Sequence, residues 1–515
     1  MPVEITNTDE LDLHWKDAEP DLGIASEGLC YKNIDEIVKR IDEVKKTVKI
    51  INLHNQHALT EIPSVLKDCE LLEELNISHT EITEIPGFLF ALPNLRSLSC
   101  CCRKLSAPPA GLDKAKKLEK LHIRINENWS FPEEITSLSE LKTLLIDIYS
   151  TAAFPKEMGA LKKLENITLS IKYETGTVQN LPVSFSKHPA LKNVNIGDHV
   201  FRNHKNFDLE KNANLLSSCP ALVSLTLSGF TVKTHNSLSL LAGLKELELR
   251  HLITEENIFN SITALKNLEK LDILGSEFKM TELPDIFGNF SQLRSFAFAG
   301  NFVPELPPSL YSMTKLSDLE IGSTGISALD EKIGNLKNLE KIHIYDNLLE
   351  KLPESIFSLP HLSVLNIEEN LFRQQEITLI KEKLNASANN GQKIEIMYDG
   401  QGRRQFVKRL RTLRSADGIN GAVYFRLCMA AINENPVSIK YIRDDLLTDN
   451  EYIQVCLEAA LHNTYADFLS NINSSRFSRE VYERICWAAV LHLPAVIANM
   501  VDPTKELLKL AEDEK

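Results

Sequence analysis

The feature that most constrains this chain is a leucine pattern that returns at nearly constant spacing. It restarts at Leu72, Leu95, Leu118, Leu141, Leu164, Leu191, Leu222, Leu244, Leu268, Leu293, Leu316, Leu339 and Leu362. Nine of the twelve steps between these leucines are 23 residues or within one residue of it, and the longest, 27 and 31, fall together after Leu164. Each copy reads L-x-x-L-x-L, about five polar-tending residues, an apolar–Pro pair, then x-x-I/L-x-x-L. "LEELNISHTEITEIPGFLFAL" from 72, "LEKLHIRINENWSFPEEITSL" from 118 and "LEKIHIYDNLLEKLPESIFSL" from 339 show it, and "VKIINLHNQHALTEIP" holds a degenerate first copy. The L-x-L alternation is that of a half-buried strand, and the proline ends strand geometry before a short return segment. One such turn cannot bury its own leucines, so the turns must stack into a parallel sheet.

That alternation also bears on "SLSCCCRKL", where Cys100, Cys101 and Cys102 run together. Leu98 and Cys100 are expected inward, Ser97, Ser99 and Cys101 outward, and Cys102 at the start of the next loop. Adjacent side chains on a strand face opposite ways, so three consecutive sulfurs cannot converge on one ion. No Cys or His pair with zinc spacing lies beside them. Cys100 reads as a small core residue, and a metal, redox or nucleophilic role for the run is disfavoured.

The pattern resembles the leucine-rich repeat family, in its 23-residue, LP-containing bacterial-type form, over residues 48–372. The resemblance implies an α/β solenoid of about 14 turns with a parallel sheet on its concave face. In that family an asparagine after the strand bonds the carbonyls of adjacent turns. Here Asn126, Asn301, Asn347 and Asn370 fill the slot, whereas Thr80, Arg103, Tyr149 and Thr324 hold it elsewhere. The resemblance also implies binding of another protein through the concave face and flanking loops.

The outward positions give the expected content of that face. Lys120, His122, Arg124, Leu145 and Asp147 fall in the middle turns, with Ile125, Ile148 and Ile171 read as a further outward row forming an apolar stripe. The far end is acidic, with Asp272, Asp318, Glu320, Asp346, Glu368 and Glu369 around His343 and Tyr345. Two insertions, 172–180 and 198–214, follow the apolar row, the second carrying Phe201, His204 and Phe207. They are expected to bulge on the loop side and wall the stripe into a groove, although a merely solvated face is the plainer alternative.

The ends are patterned differently. Residues 1–47 are expected to be loose, then a capping helix whose apolar stripe is Ile34, Ile37, Val38, Ile41 and Val44; residues 373–400 are expected to cap the other end with a helix and the strand "KIEIM". Residues 401–418 carry Arg403, Arg404, Lys408, Arg409, Arg411 and Arg414 around an apolar stripe, a basic amphipathic helix that bridges domains or, alternatively, lies on an anionic membrane. Residues 419–515 repeat "VYFRLCMAAINEN", "EYIQVCLEAALHN" and "VYERICWAAVLHL", an all-α helix-pair array that resembles a bacterial domain of unknown function. Its aligned Cys428, Cys456 and Cys486 sit on Ala-rich helix faces and read as packing residues.

Composition narrows the function classes. The formal charge of −14 disfavours non-specific binding to nucleic acid, and nine cysteines at irregular spacing fit reduced thiols in a cytoplasm-like compartment. No phosphate-loop, zinc-protease, serine-hydrolase or kinase motif occurs, and the C-x-D loop of helical ubiquitin ligases has no counterpart. The expectation is a non-enzymatic protein-binding scaffold with no cofactor, no metal and no catalytic residue. The alternative is a bacterial effector delivered into a host cell by a route without a signal peptide, with an unrecognised activity in its C-terminal domain.

Overall fold

The structure, a computed structural model, describes residues 10–12 and 33–398 except 128, 152, 173–177, 179, 199–204, 233–235, 255–257, 276, 279–281, 301–302, 304, 348, 369, 371, 373 and 388–393. The basic segment at 401–418 and the helix pairs at 419–515 lie outside the described residues, as do Phe201, His204, Asn301 and Glu369. The chain divides between Leu268 and Glu269 into two compact units.

The first unit begins with strand β1 (Glu10–Asp12) and helix α1 (Ile34–Val44). Asn33 caps α1 by accepting from the Glu36 N–H, and Ile37, Ile41 and Val44 are buried, as the apolar stripe requires. Strands β2 (Ile50–Asn52), β3 (Glu74–Asn76), β4 (Ser97–Cys100), β5 (Lys120–Ile125), β6 (Thr143–Ile148), β7 (Asn166–Ile171) and β8 (Asn193–Asp198) follow, one per repeat. β9 (Lys205–Phe207), α2 (Leu209–Leu216), β10 (Ser224–Ser228), β11 (Phe230–Val232), β12 (Glu246–Arg250), β13 (Ile253–Thr254) and α3 (Phe259–Ile262) complete it. β1 to β8, β10 and β12 form one parallel sheet in which each strand pairs with those of the neighbouring repeats. Opposite it, short 3-10 turns bury Leu66, Leu89, Leu112, Ile135, Met158 and Phe185, several of them entered through a proline whose fixed φ sets the bend.

The isoleucine row lies on the core side of the sheet, not on the open side expected for it. β5, β6 and β7 are each six residues long, so the alternation continues past the second repeat leucine. A period of two then puts Ile125, Ile148 and Ile171 on the same side as Leu121 and Ile123. They are 0%, 4% and 2% exposed, paired in register across the three strands on the core side. There is no exposed apolar stripe there.

The insertion at 198–214 forms regular structure rather than a loop that walls a groove. It builds β9 and α2, whose first turn is capped by Asp208 accepting from the Lys211 N–H. β9, β11 and β13 form a small second parallel arrangement. Phe207 is buried against Phe230, the rings stacked with centroids 5.0 Å apart, so it packs this sheet rather than facing a partner. Lys205 and Asp198 are buried as an ion pair.

The second unit contains β14 (Lys270–Leu274), β15 (Glu277–Phe278), β16 (Ser295–Ala299), β17 (Asp318–Gly322), β18 (Lys341–His343), β19 (Val364–Asn366), helix α4 (Gln374–Ser387) and β20 (Glu395–Met397). β14, β16, β17, β18, β19 and β20 pair in parallel, and a helix followed by a strand, as expected after residue 373, are present as α4 and β20. The asparagine ladder is present here. Asn347 donates to the Ile321 and Tyr345 carbonyls and accepts from the Thr324 and Gly325 N–H groups; Asn370 donates to Ile344 and accepts from Leu349. In the first unit, where Arg103 occupies the slot, the neighbouring Cys102 thiol donates to the Ile77 carbonyl instead (3.0 Å). Cys102, expected at the start of the loop, therefore also bonds the neighbouring turn as a ladder residue does.

Candidate partner-binding face

The register fixes which side chains share the uncovered side of the first unit's sheet. One row runs Asn52, Asn76, Ser99, His122, Leu145, Thr168, Asn195, Thr226 and Glu248. Arg124, Asp147, Ser170 and Gly197 share the next row across β5 to β8. Lys120 is exposed, and His122, Arg124, Leu145, Thr168, Tyr149 and Lys172 are half-buried, so this face meets solvent while Leu121, Ile123, Leu144, Ile146 and Leu169 fill the core behind it.

Asp147 is the centre of a charged cluster. Its Oδ2 is 3.1 Å from Lys172 Nζ and its Oδ1 is 3.8 Å from His122 Nε2. Burial would raise its pKa, but the imidazole and the ammonium beside it outweigh burial and hold the carboxyl at about 2. The Arg124 guanidinium stacks on the Tyr149 ring with Cζ 3.4 Å from the centroid, and its Nε donates to Asn126. His54 and His79 meet edge-on at the neighbouring turns, centroids 5.0 Å apart.

Cys101 belongs to this cluster. It is 2% exposed, and Cys101 Sγ, a His122 ring nitrogen and an Asp147 carboxylate oxygen lie within 4.8 Å of one another. Its backbone is fixed by the Ser78 hydroxyl, which accepts from its N–H, and by the His79 N–H, which donates to its carbonyl. Burial pushes its thiol well above the ordinary range, so it is a poor nucleophile. Sequence spacing missed this trio because zinc-type motifs are sought a few residues apart, whereas these donors sit on three successive repeats.

In the second unit Asp318, Glu320 and His343 lie in ladder register on the open side of β17 and β18. Tyr345 donates its hydroxyl to Glu320 (2.6 Å). Gly322 makes that possible, since a Cβ there would stand 2.5 Å from the Tyr345 ring. Glu368 is half-buried just after β19. Two acids of the expected patch sit elsewhere: Asp272 is buried beside Lys270 at 3.0 Å, and Asp346 is buried in a turn accepting from Ser323. Each has a structural partner because each lies where water cannot solvate a lone carboxylate.

Among the described residues no helix is long and apolar enough to cross a membrane. No protein-family model and no curated protein matches the chain. Among solved structures it is similar to a leucine-rich repeat protein of Leptospira interrogans (TM-score 0.42, 20% identity, 72% of this chain and 99% of that one). It is similar as well to an internalin from Listeria monocytogenes (TM-score 0.39, 15% identity, 65% and 83%). A third is TLR13 in a complex with ssRNA13 (TM-score 0.47, 17% identity, 70% and 55%). The 23-residue period, the parallel register and the buried asparagines make the described repeats leucine-rich repeats in architecture.

Proposed function

We propose that this chain is a non-enzymatic binding protein that holds a protein partner on the open side of β4 to β8. The observation that carries this reading is a parallel sheet with one side still meeting solvent, since parallel sheets in single domains are ordinarily covered on both. That side presents Arg124 stacked on Tyr149, next to Leu145, in a surround of His122, Asp147 and Lys172. Arginine and tyrosine in this arrangement are the residue types that dominate interface energetics, and the charged surround supplies a polar rim. The acidic side of the second unit, with Glu320 and His343, would tune association rate rather than anchor the partner.

Affinity capture with the full chain tests this. Arg124→Ala/Tyr149→Ala should keep its circular dichroism and thermal transition and lose the captured protein, with affinity reduced at least about tenfold. An unchanged set of captured proteins would place the site elsewhere, and capture that depends on nuclease-sensitive RNA would replace the protein partner with nucleic acid.

A further inference from the structure

Three donor atoms from three successive repeats converge beside β5, and they are of the types that bind a borderline metal ion. Cys101 supplies sulfur, His122 an imidazole nitrogen and Asp147 a carboxylate oxygen, all within 4.8 Å of one another. Zinc holds sulfur at about 2.3 Å and nitrogen or oxygen at about 2.0–2.2 Å, so its donors stand roughly 3.5 Å apart. Rotamer shifts of about 1 Å would close the triangle around an ion. We propose that Cys101, His122 and Asp147 form a divalent transition-metal site, zinc being the ion the set fits best.

The donor types select against magnesium and calcium, which take oxygen ligands, and favour zinc or cobalt. The neighbouring cations do not occupy the site. Lys172 holds Oδ2 of Asp147, leaving Oδ1 on the His122 side, and thereby orients the carboxylate from behind. Arg124 is drawn onto Tyr149 and Asn126. Cys101 cannot drift, because Ser78 and His79 fix its backbone on both sides. When the ion binds, the metal–sulfur bond replaces the sulfur–hydrogen bond and one proton passes to solvent, with no change of oxidation state. Three protein donors leave the fourth position to water. The site stands whether or not this face binds a protein.

The experiment is a titration of the full chain, stripped with a chelator, with Co2+. Near-ultraviolet thiolate-to-cobalt absorption should appear and be displaced by Zn2+. Cys101→Ser should lose one equivalent of bound metal and its share of that band, whereas Cys102→Ser, whose sulfur is engaged with Ile77, should lose neither. His122→Ala and Asp147→Asn should each weaken Zn2+ binding at least about tenfold without altering the circular dichroism. Absence of the band in the parent chain, or a stoichiometry that Cys101→Ser leaves unchanged, overturns the proposal. If Cys101→Ser does not fold, unchanged Zn2+ affinity in both His122→Ala and Asp147→Asn overturns it.

Discussion

Lys205 and Asp198 form an ion pair from which water is excluded: Nζ and Oδ2 stand 2.5 Å apart, and the side chains are 1% and 0% exposed. The pair ties the start of the second sheet to the end of β8. Replacing such a pair by apolar groups is often neutral, but removing one partner strands the other charge in a medium that cannot solvate it. Asp198→Ala should therefore cost about 3–5 kcal/mol in urea denaturation, and Asp198→Leu/Lys205→Met should recover much of that loss. A small single-variant effect would mean that water reaches Lys205.

Ile148 and Leu145 make a matched comparison on one strand, because they face opposite ways. Ile148 is 4% exposed among core side chains, whereas Leu145 is half-buried on the open side. Ile148→Asp buries an unpaired carboxylate and should unfold the first unit or lower its melting temperature steeply. Leu145→Asp should leave the melting temperature nearly unchanged. Equal effects in calorimetry would contradict the assigned register.

Asp147 sets an acid dependence. Its folded pKa of about 2 lies below its ordinary value of 3.8, so the stabilisation is fully present above about pH 4. It is lost as pH falls from about 4 to about 2, and amounts to about 2 kcal/mol. In the presence of a chelator, stability of Asp147→Asn relative to the parent should be lower at pH 6 and converge on it at pH 2. A constant gap across that range would assign the loss to packing rather than to charge.

The cysteines of the first unit provide a fourth measurement. Cys69, Cys100, Cys101, Cys102 and Cys219 are all buried, and burial raises each thiol above its ordinary pKa. Iodoacetamide followed by peptide mass spectrometry should label none of them in the native chain and all of them in urea. Rapid native labelling of Cys101 would show an accessible thiolate that the packing does not allow.

The repeat and the first helix were legible because they rest on short-range periodicity: the leucine spacing predicts β2 to β8, and the stripe through Ile37 and Ile41 predicts α1. The isoleucine row was misplaced for a physical reason. A consensus ending at L-x-L leaves the next two residues without an assigned side, and only the length of β5 to β7 shows that Ile125 continues the inward set. The alternation places Cys101 on the other side of the strand from Cys100, but its burial and its closeness to His122 and Asp147 involve residues distant in sequence, which the local pattern does not encode. The Lys205–Asp198 pair lies at an insertion, where no periodicity exists to carry information.

The three residues of β1 bear on association between copies of the chain. Glu10–Asp12 lies parallel to Ile50–Asn52 and takes up hydrogen-bonding groups that β2 would otherwise present to solvent. An unpaired sheet margin is a template onto which another molecule can add a strand, and natural proteins blunt such margins with very short strands and charged residues. β1 has both properties: it is three residues long and two of them are acids. Glu10–Asp12 thus covers the margin of β2, and a chain lacking those three residues would present the hydrogen-bonding groups of Ile50–Asn52 that β1 now takes up.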